Sequence, residues 1–121
     1  MKRQVLHDRY VRDRYPVRLG NLASTLGRAA QRAANPVASE TVASALREAM
    51  WLIEWNVRDT PQEILAELAP MQFELGWWWR GWNIAVQSPD LRRLLAQRAR
   101  EMSDRVLQLS GLLTQAAERN E

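Results

Sequence analysis

Carboxylates, one histidine and an arginine–tyrosine cluster are the groups in this 121-residue chain that could carry chemistry. Glu63 and Glu67 stand one helical turn apart, with Glu74 further along, and paired carboxylates can share acid–base work. Acids near the start of a helix also favour its dipole, and these three share a face only in part, so a structural role is expected. His7 is the single histidine. Alone it cannot build a histidine-rich metal site, and no Glu-x-x-His pair accompanies it, so it is expected to be solvated or to cap. No glycine-rich phosphate loop, serine elbow or metal-ligand spacing is present. The lack of cysteine removes thiolate ligands, disulfides and cysteine nucleophiles together. The chain therefore reads as non-enzymatic, with no catalytic residue, metal, cofactor or small-molecule substrate to name.

The stretch "RYVRDRY" interleaves Arg9, Arg12 and Arg14 with Tyr10 and Tyr15, a mixture of guanidinium groups and rings that can contact phosphates and stack on bases. With Arg3 and Arg18 these residues form a candidate nucleic-acid-binding set. They also make Asp8–Arg12 and Arg9–Asp13 pairs at helical spacing, which would leave a self-neutralised helix surface. Charge is uneven along the chain: residues 1–34 carry +6, residues 35–90 carry −5 and residues 91–121 carry +2, within a net charge of +3. Such segments either attract one another when packed or present a basic surface to an anionic partner.

"WWWRGW", residues 77–82, poses a different problem. Adjacent helical side chains point about 100° apart, so one buried stripe cannot take them all. With Ile64 at zero, Trp78 and Trp82 fall in the stripe that includes Leu68 and Leu75, and Trp79 lies on its flank. Trp77 falls on the far side, at roughly 220°, near Phe73, Ala66 and Ile84. Trp51 and Trp55, four apart and so on one face, likewise point away from Val42, Leu46 and Ile53. Two readings stay open. The first residues, through Val5, Leu6, Tyr10 and Val11, fold back and cover the outer rings; or Trp51, Trp55, Phe73, Trp77 and Ile84 form a docking face for another chain. Tryptophan and arginine are enriched in interface hot spots, and Arg80 lies beside the stripe with cation–π stacking available. The leading expectation is a protein–protein interaction protein, associating as a homo-oligomer, with nucleic-acid binding as the alternative.

The elements that position these residues are all helical. "DTPQE" offers Thr60 as N-cap, Pro61 in the first turn and Glu63 to complete a capping box. "QSPDL" repeats this with Ser88 and Pro89, and "NPVASE" breaks the chain at Asn35-Pro36. Four long segments result, each with apolar residues alternating three and four apart. They are Tyr15 to Ala33, Val42 to Val57, Ile64 to Ala85 and Leu95 to Ala116, the last running through Leu113. Pro70 inside the third predicts a kink. In the fourth, Arg98 and Arg105 lie close to the core stripe, where their stems can cover apolar surface. In the first, Gly20, Ala23, Gly27, Ala30 and Ala34 form a small-residue strip suited to accepting rings or a close helix. No stretch alternates with the period of two expected of a strand.

Short connections make consecutive helices antiparallel neighbours. The expected architecture is all-α: an up-and-down four-helix bundle over residues 15–121, with a basic arm at residues 1–14, helical or extended. Apolar residues at 46% and charged residues at 26% suit a folded globular chain. No stretch is long and apolar enough for a membrane span and no h-region opens the chain, so a cytoplasmic setting is expected.

The order "YPVRLGNLASTLGRAA", "VASALREAMWLIEW", "LAPMQFELGWWWRGW" and "RVLQLSGLL" resembles a family of small all-helical proteins of cyanobacteria. The resemblance spans residues 15–113 and rests on helix pattern and tryptophan placement. It implies a bacterial cytoplasmic helical protein and supplies no active-site residues. The arginine-rich arm and the triple tryptophan lie outside what it matches.

Overall fold

The computed structural model describes residues 3–112. Among them lie five α-helices and one short 3₁₀ turn, with no strand: α1 (Arg3–Tyr10), α2 (Tyr15–Arg32), the turn Pro36–Ala38, α3 (Ser39–Glu54), α4 (Gln62–Ala85) and α5 (Pro89–Ser110). The all-helical class matches the sequence pattern, while the helix number is five where four were expected. The extra helix is the basic arm, which is drawn into the core through Tyr10, 3% exposed. No helix among the described residues is long and apolar enough to cross a membrane. Leu113 and Ala116 lie outside the described residues.

Local chemistry sets the boundaries in two of the three expected places. Asn35 Oδ1 accepts from the Val37 N–H at 3.0 Å and starts the 3₁₀ turn. Ser88 Oγ accepts from the Leu91 N–H at 3.3 Å, with Pro89 in the first turn of α5. Gly111, at φ 74, closes α5 in the left-handed conformation that lacks a Cβ penalty. The capping box at Thr60 is not formed. Pro61 precedes α4 with no side-chain cap, and the buried Thr60 hydroxyl instead donates to the Arg58 carbonyl while accepting from Arg18. Helix α3 stops at Glu54, so Val57 leaves the apolar stripe and is exposed in the loop. Helix α4 continues through Pro70.

Helix α2 is central, packed most extensively on α5 and then on α3; α3 in turn packs on α4. The small residues of α2 serve the close approach of α5. Ser103 Oγ donates across the contact to the Ala23 carbonyl at 2.7 Å, and a Cβ built on Gly20 would stand 2.9 Å from Leu112 Cδ1. Ala34, at the end of the strip, is exposed. Leu22, Leu26, Leu46, Leu68, Leu75 and Leu95 are fully enclosed between the helices, contributing about 1.5–3 kcal/mol each by burial as an upper bound.

Helices α4 and α5 approach each other less closely and are joined by two guanidinium–carboxylate forks. Arg98 Nε and Nη2 meet Glu74 Oε2 and Oε1 at 2.9 and 2.7 Å, and Arg105 Nε and Nη2 meet Glu67 Oε1 and Oε2 at 2.8 Å each. The partners are seven residues apart on each helix and run in opposite senses, the register of an antiparallel pair. This gives the carboxylates a structural role and ties down Arg98 and Arg105 by charge as well as by their stems.

Candidate docking face and the covered tryptophan pair

The two outward aromatic flanks have different fates. Trp51 and Trp55 on α3 stack on each other, with centroids 6.1 Å apart and planes 23° apart, and α1 lies across them. The Arg3 guanidinium sits 5.5 and 5.2 Å from the two ring centroids, and the Arg47 guanidinium lies 5.1 Å from that of Trp51. His7 meets Trp55 edge-on at 5.0 Å, with its Nδ1 3.2 Å from Asp8 Oδ1. Tyr10 adds a tilted contact with Trp55 at 6.2 Å. Both indoles are half-buried by this clamp. His7 keeps 37% of its side chain open to solvent, in keeping with the expected solvated role, and in addition rests on an aromatic neighbour.

Helix α1 is held down by Arg18, a residue the sequence pattern placed among nucleic-acid contacts. Arg18 is 2% exposed. Its guanidinium donates to the Asp13 carbonyl at 2.7 Å, the Arg58 carbonyl at 2.6 Å, Asp59 Oδ1 at 2.7 Å, Asn56 Oδ1 at 3.1 Å and Thr60 Oγ1 at 3.2 Å. Tyr10 Oη donates to the Arg18 carbonyl at 3.0 Å and accepts from Asn56 Nδ2. Burial pushes the Tyr10 phenol well above its ordinary value. Asp59 takes the left-handed conformation, φ 55, which aspartate tolerates better than most residues. One network thus joins α1, the start of α2 and the α3–α4 loop. Enclosed in it, Arg18 and Tyr10 offer nothing to a phosphate or a base, which removes both from the nucleic-acid set. Arg3 is engaged on Trp51 and Trp55 and pairs with Glu54 at 3.6 Å; Arg9, Arg12 and Arg14 are exposed.

Helix α4 carries the flank that nothing among the described residues covers. Trp78 and Trp82 point inward, and their indole N–H groups donate to Glu74 Oε2 at 3.2 Å and to the Ser39 carbonyl at 3.0 Å. Phe73 is 76% exposed, Ile84 71%, Trp77 57% and Trp79 42%. Trp77 rests edge-on against Trp78 at 5.0 Å, which props its ring outward. Arg80 is exposed among these residues and makes no ion pair or hydrogen bond with the described residues. A shallow groove of about 380 Å³ runs beside them, lined by Trp77, Gly81, Ile84 and Leu91. Of the six residues expected to form one face, the structure brings Phe73, Trp77, Arg80 and Ile84 together on α4 and sets Trp51 and Trp55 apart under α1.

The Arg18 network was not foreseen. The Glu67/Glu74 and Arg98/Arg105 spacing of seven was a usable signal for the forks, since two antiparallel helices with that repeat align both pairs at once. In the fold, the Arg98 guanidinium holds the Glu74 carboxyl below the usual carboxylate range by hydrogen bonding, against some desolvation, and Glu67 is lowered in the same way by Arg105. Comparison with family models, with curated proteins and with solved structures finds no match to this chain.

Proposed function

We propose that the chain is a cytoplasmic, non-catalytic helical interaction protein whose docking face is the outer side of α4. The observation that carries this reading is the exposure of Phe73, Trp77 and Ile84 side by side on a helix whose opposite face fills the core. Large apolar and aromatic side chains present some 150–250 Å² each, so these three leave on the order of 400 Å² of apolar surface on one flank of α4, a size at which the largest patch of a monomer often has a contact function. The fold had a means of covering such rings and used it on Trp51 and Trp55. Arg80, one turn from Trp77 on the same flank, adds a second of the residue types enriched at interface hot spots.

A photoreactive residue placed at position 77 of the full chain in its own cells tests this reading, with position 100, exposed on α5, as the control. Adducts to a protein chain from position 77 and not from position 100 are expected. Equal or absent adducts at both positions would overturn it.

A further inference from the structure

Phe73, Trp77, Arg80 and Ile84 follow one another at spacings of four, three and four, a pattern that reads the same from either end of the helix. This alternation is that of a coiled-coil seam. Two α4 helices laid antiparallel about a two-fold axis midway between Trp78 and Trp79 set Phe73 opposite the partner's Ile84 and Trp77 opposite the partner's Arg80. We infer that the partner of the α4 face is a second copy of this chain, packed antiparallel through α4; this rests on the reading that the face docks protein. The stripe is self-complementary in chemistry as well as in spacing. Against a purely apolar partner, the Arg80 charge would be desolvated without compensation; against the face of an indole it is attracted, and the two-fold supplies that contact twice. Glu67 and Glu74, the acids flanking the stripe, are already engaged by Arg105 and Arg98, so no free carboxylate of α4 competes for Arg80 there. Gly81 lies next to the seam with nothing within 4 Å of where a Cβ would stand, which lets the partner's backbone come near. About 400 Å² of apolar surface per copy is half of the ~800 Å² that a standard interface buries on each side. The dimer is therefore weak and concentration-dependent.

The absence of cysteine from the chain makes site-specific spin labelling direct. Glu63→Cys and Asn83→Cys, both on exposed positions of α4 off the stripe, are labelled separately in the full chain and measured at high and low protein concentration. At a rise of 1.5 Å per residue, the antiparallel pairing separates the two labels at position 63 by about 45 Å along the axis and those at position 83 by only about 15 Å. Both signals should vanish on dilution. Arg80→Glu should weaken association at least tenfold, while Arg80→Lys, which keeps a cation, should retain most of it. Similar short distances at both positions would overturn the antiparallel pairing, and a monomer at every concentration would overturn the dimer. A monomer that still gives the position-77 adduct in cells removes the second copy and keeps the docking face; loss of both removes the face.

Discussion

Replacing Arg18 with methionine keeps most of the buried stem and deletes the guanidinium alone. Five acceptors lose their donor: the Asp13 and Arg58 carbonyls, Asn56 Oδ1, Thr60 Oγ1 and the Asp59 carboxylate. They do not count equally. Asp59 is half exposed, so water takes over its charge and that ion pair contributes at most about 1 kcal/mol. Asn56 and Thr60 are buried, and an unsatisfied buried polar group costs about 1–3 kcal/mol. Allowing Thr60 to keep its bond to the Arg58 carbonyl, the expected loss is about 3–5 kcal/mol, in line with breaking a buried charge–acceptor cluster. That is a large part of the roughly 6–18 kcal/mol expected of a chain this size, and it should lower the melting temperature by roughly 10–20 °C. Urea unfolding followed by circular dichroism, with the slope m compared between variants, measures it. Asp59→Asn is the internal control, because asparagine tolerates the left-handed backbone and retains an acceptor while losing the charge; it should cost under about 1 kcal/mol. An Arg18→Met loss below about 1 kcal/mol, or one no larger than that of Asp59→Asn, would refute the view that Arg18 organises the α1, α2 and α3–α4 loop junction.

Other perturbations follow from the same geometry. Tyr10→Phe leaves the Arg18 carbonyl and Asn56 without the phenol and should cost about 1–3 kcal/mol in the same assay. The raised Tyr10 value means its stabilising effect is complete below about pH 10, the unfolded-chain value, and fades as pH rises beyond that. Wild type should therefore lose stability more steeply than Tyr10→Phe above pH 10. Glu74 behaves in the opposite sense: its lowered folded-state value means the Arg98 fork stabilises the fold above about pH 4.5 and is lost as pH falls through the folded-state value. Glu74→Gln should thus be less stable than wild type at pH 7, by about 1 kcal/mol, with the gap closing on acidification; a gap that widens would contradict the fork. Gly27→Ala should stabilise by about 0.5–1 kcal/mol, because a Cβ there meets Ser103 Oγ at an ordinary 3.6 Å and the helix gains from losing a glycine. A thermal melt of this variant below wild type would show that α5 needs closer access to α2 than the structure indicates.

Periodicity made much of this fold readable, because helical spacing alone decides which side chains share a face. It placed Trp78 and Trp82 inside and Trp77 outside, and all three lie so. Boundary residues placed a cap at Ser88 and a break at Asn35-Pro36; Ser88 does cap α5, and at the break the Asn35 side chain takes the Val37 N–H. What it could not reach is non-local. Thr60 reads as an N-cap by its neighbours, yet Arg18, 42 residues earlier, takes its hydroxyl. Arg18 itself reads as a surface cation, since arginine is rarely fully buried unless paired, and four of its five acceptors lie 38 to 42 residues away in the α3–α4 loop, beyond the reach of local spacing. The cover over Trp51 and Trp55 depended on where α1 folds back; Val5, offered as part of that cover, stays exposed, and it is Arg3, His7 and Tyr10 that make the contact. The exposed stripe on α4 was legible in sequence except for its separation from that pair.

Sedimentation equilibrium of the wild-type chain and of Trp77→Glu, from about 1 to 300 μM, tests the pairing of two copies through α4 most directly, within the affinity range such a small interface allows. The weight-average mass of wild type should climb from 14.0 kDa towards twice that value with concentration, while Trp77→Glu stays monomeric and melts at an unchanged temperature. A wild-type mass of 14.0 kDa throughout, or a Trp77→Glu variant that associates as wild type does, would contradict it.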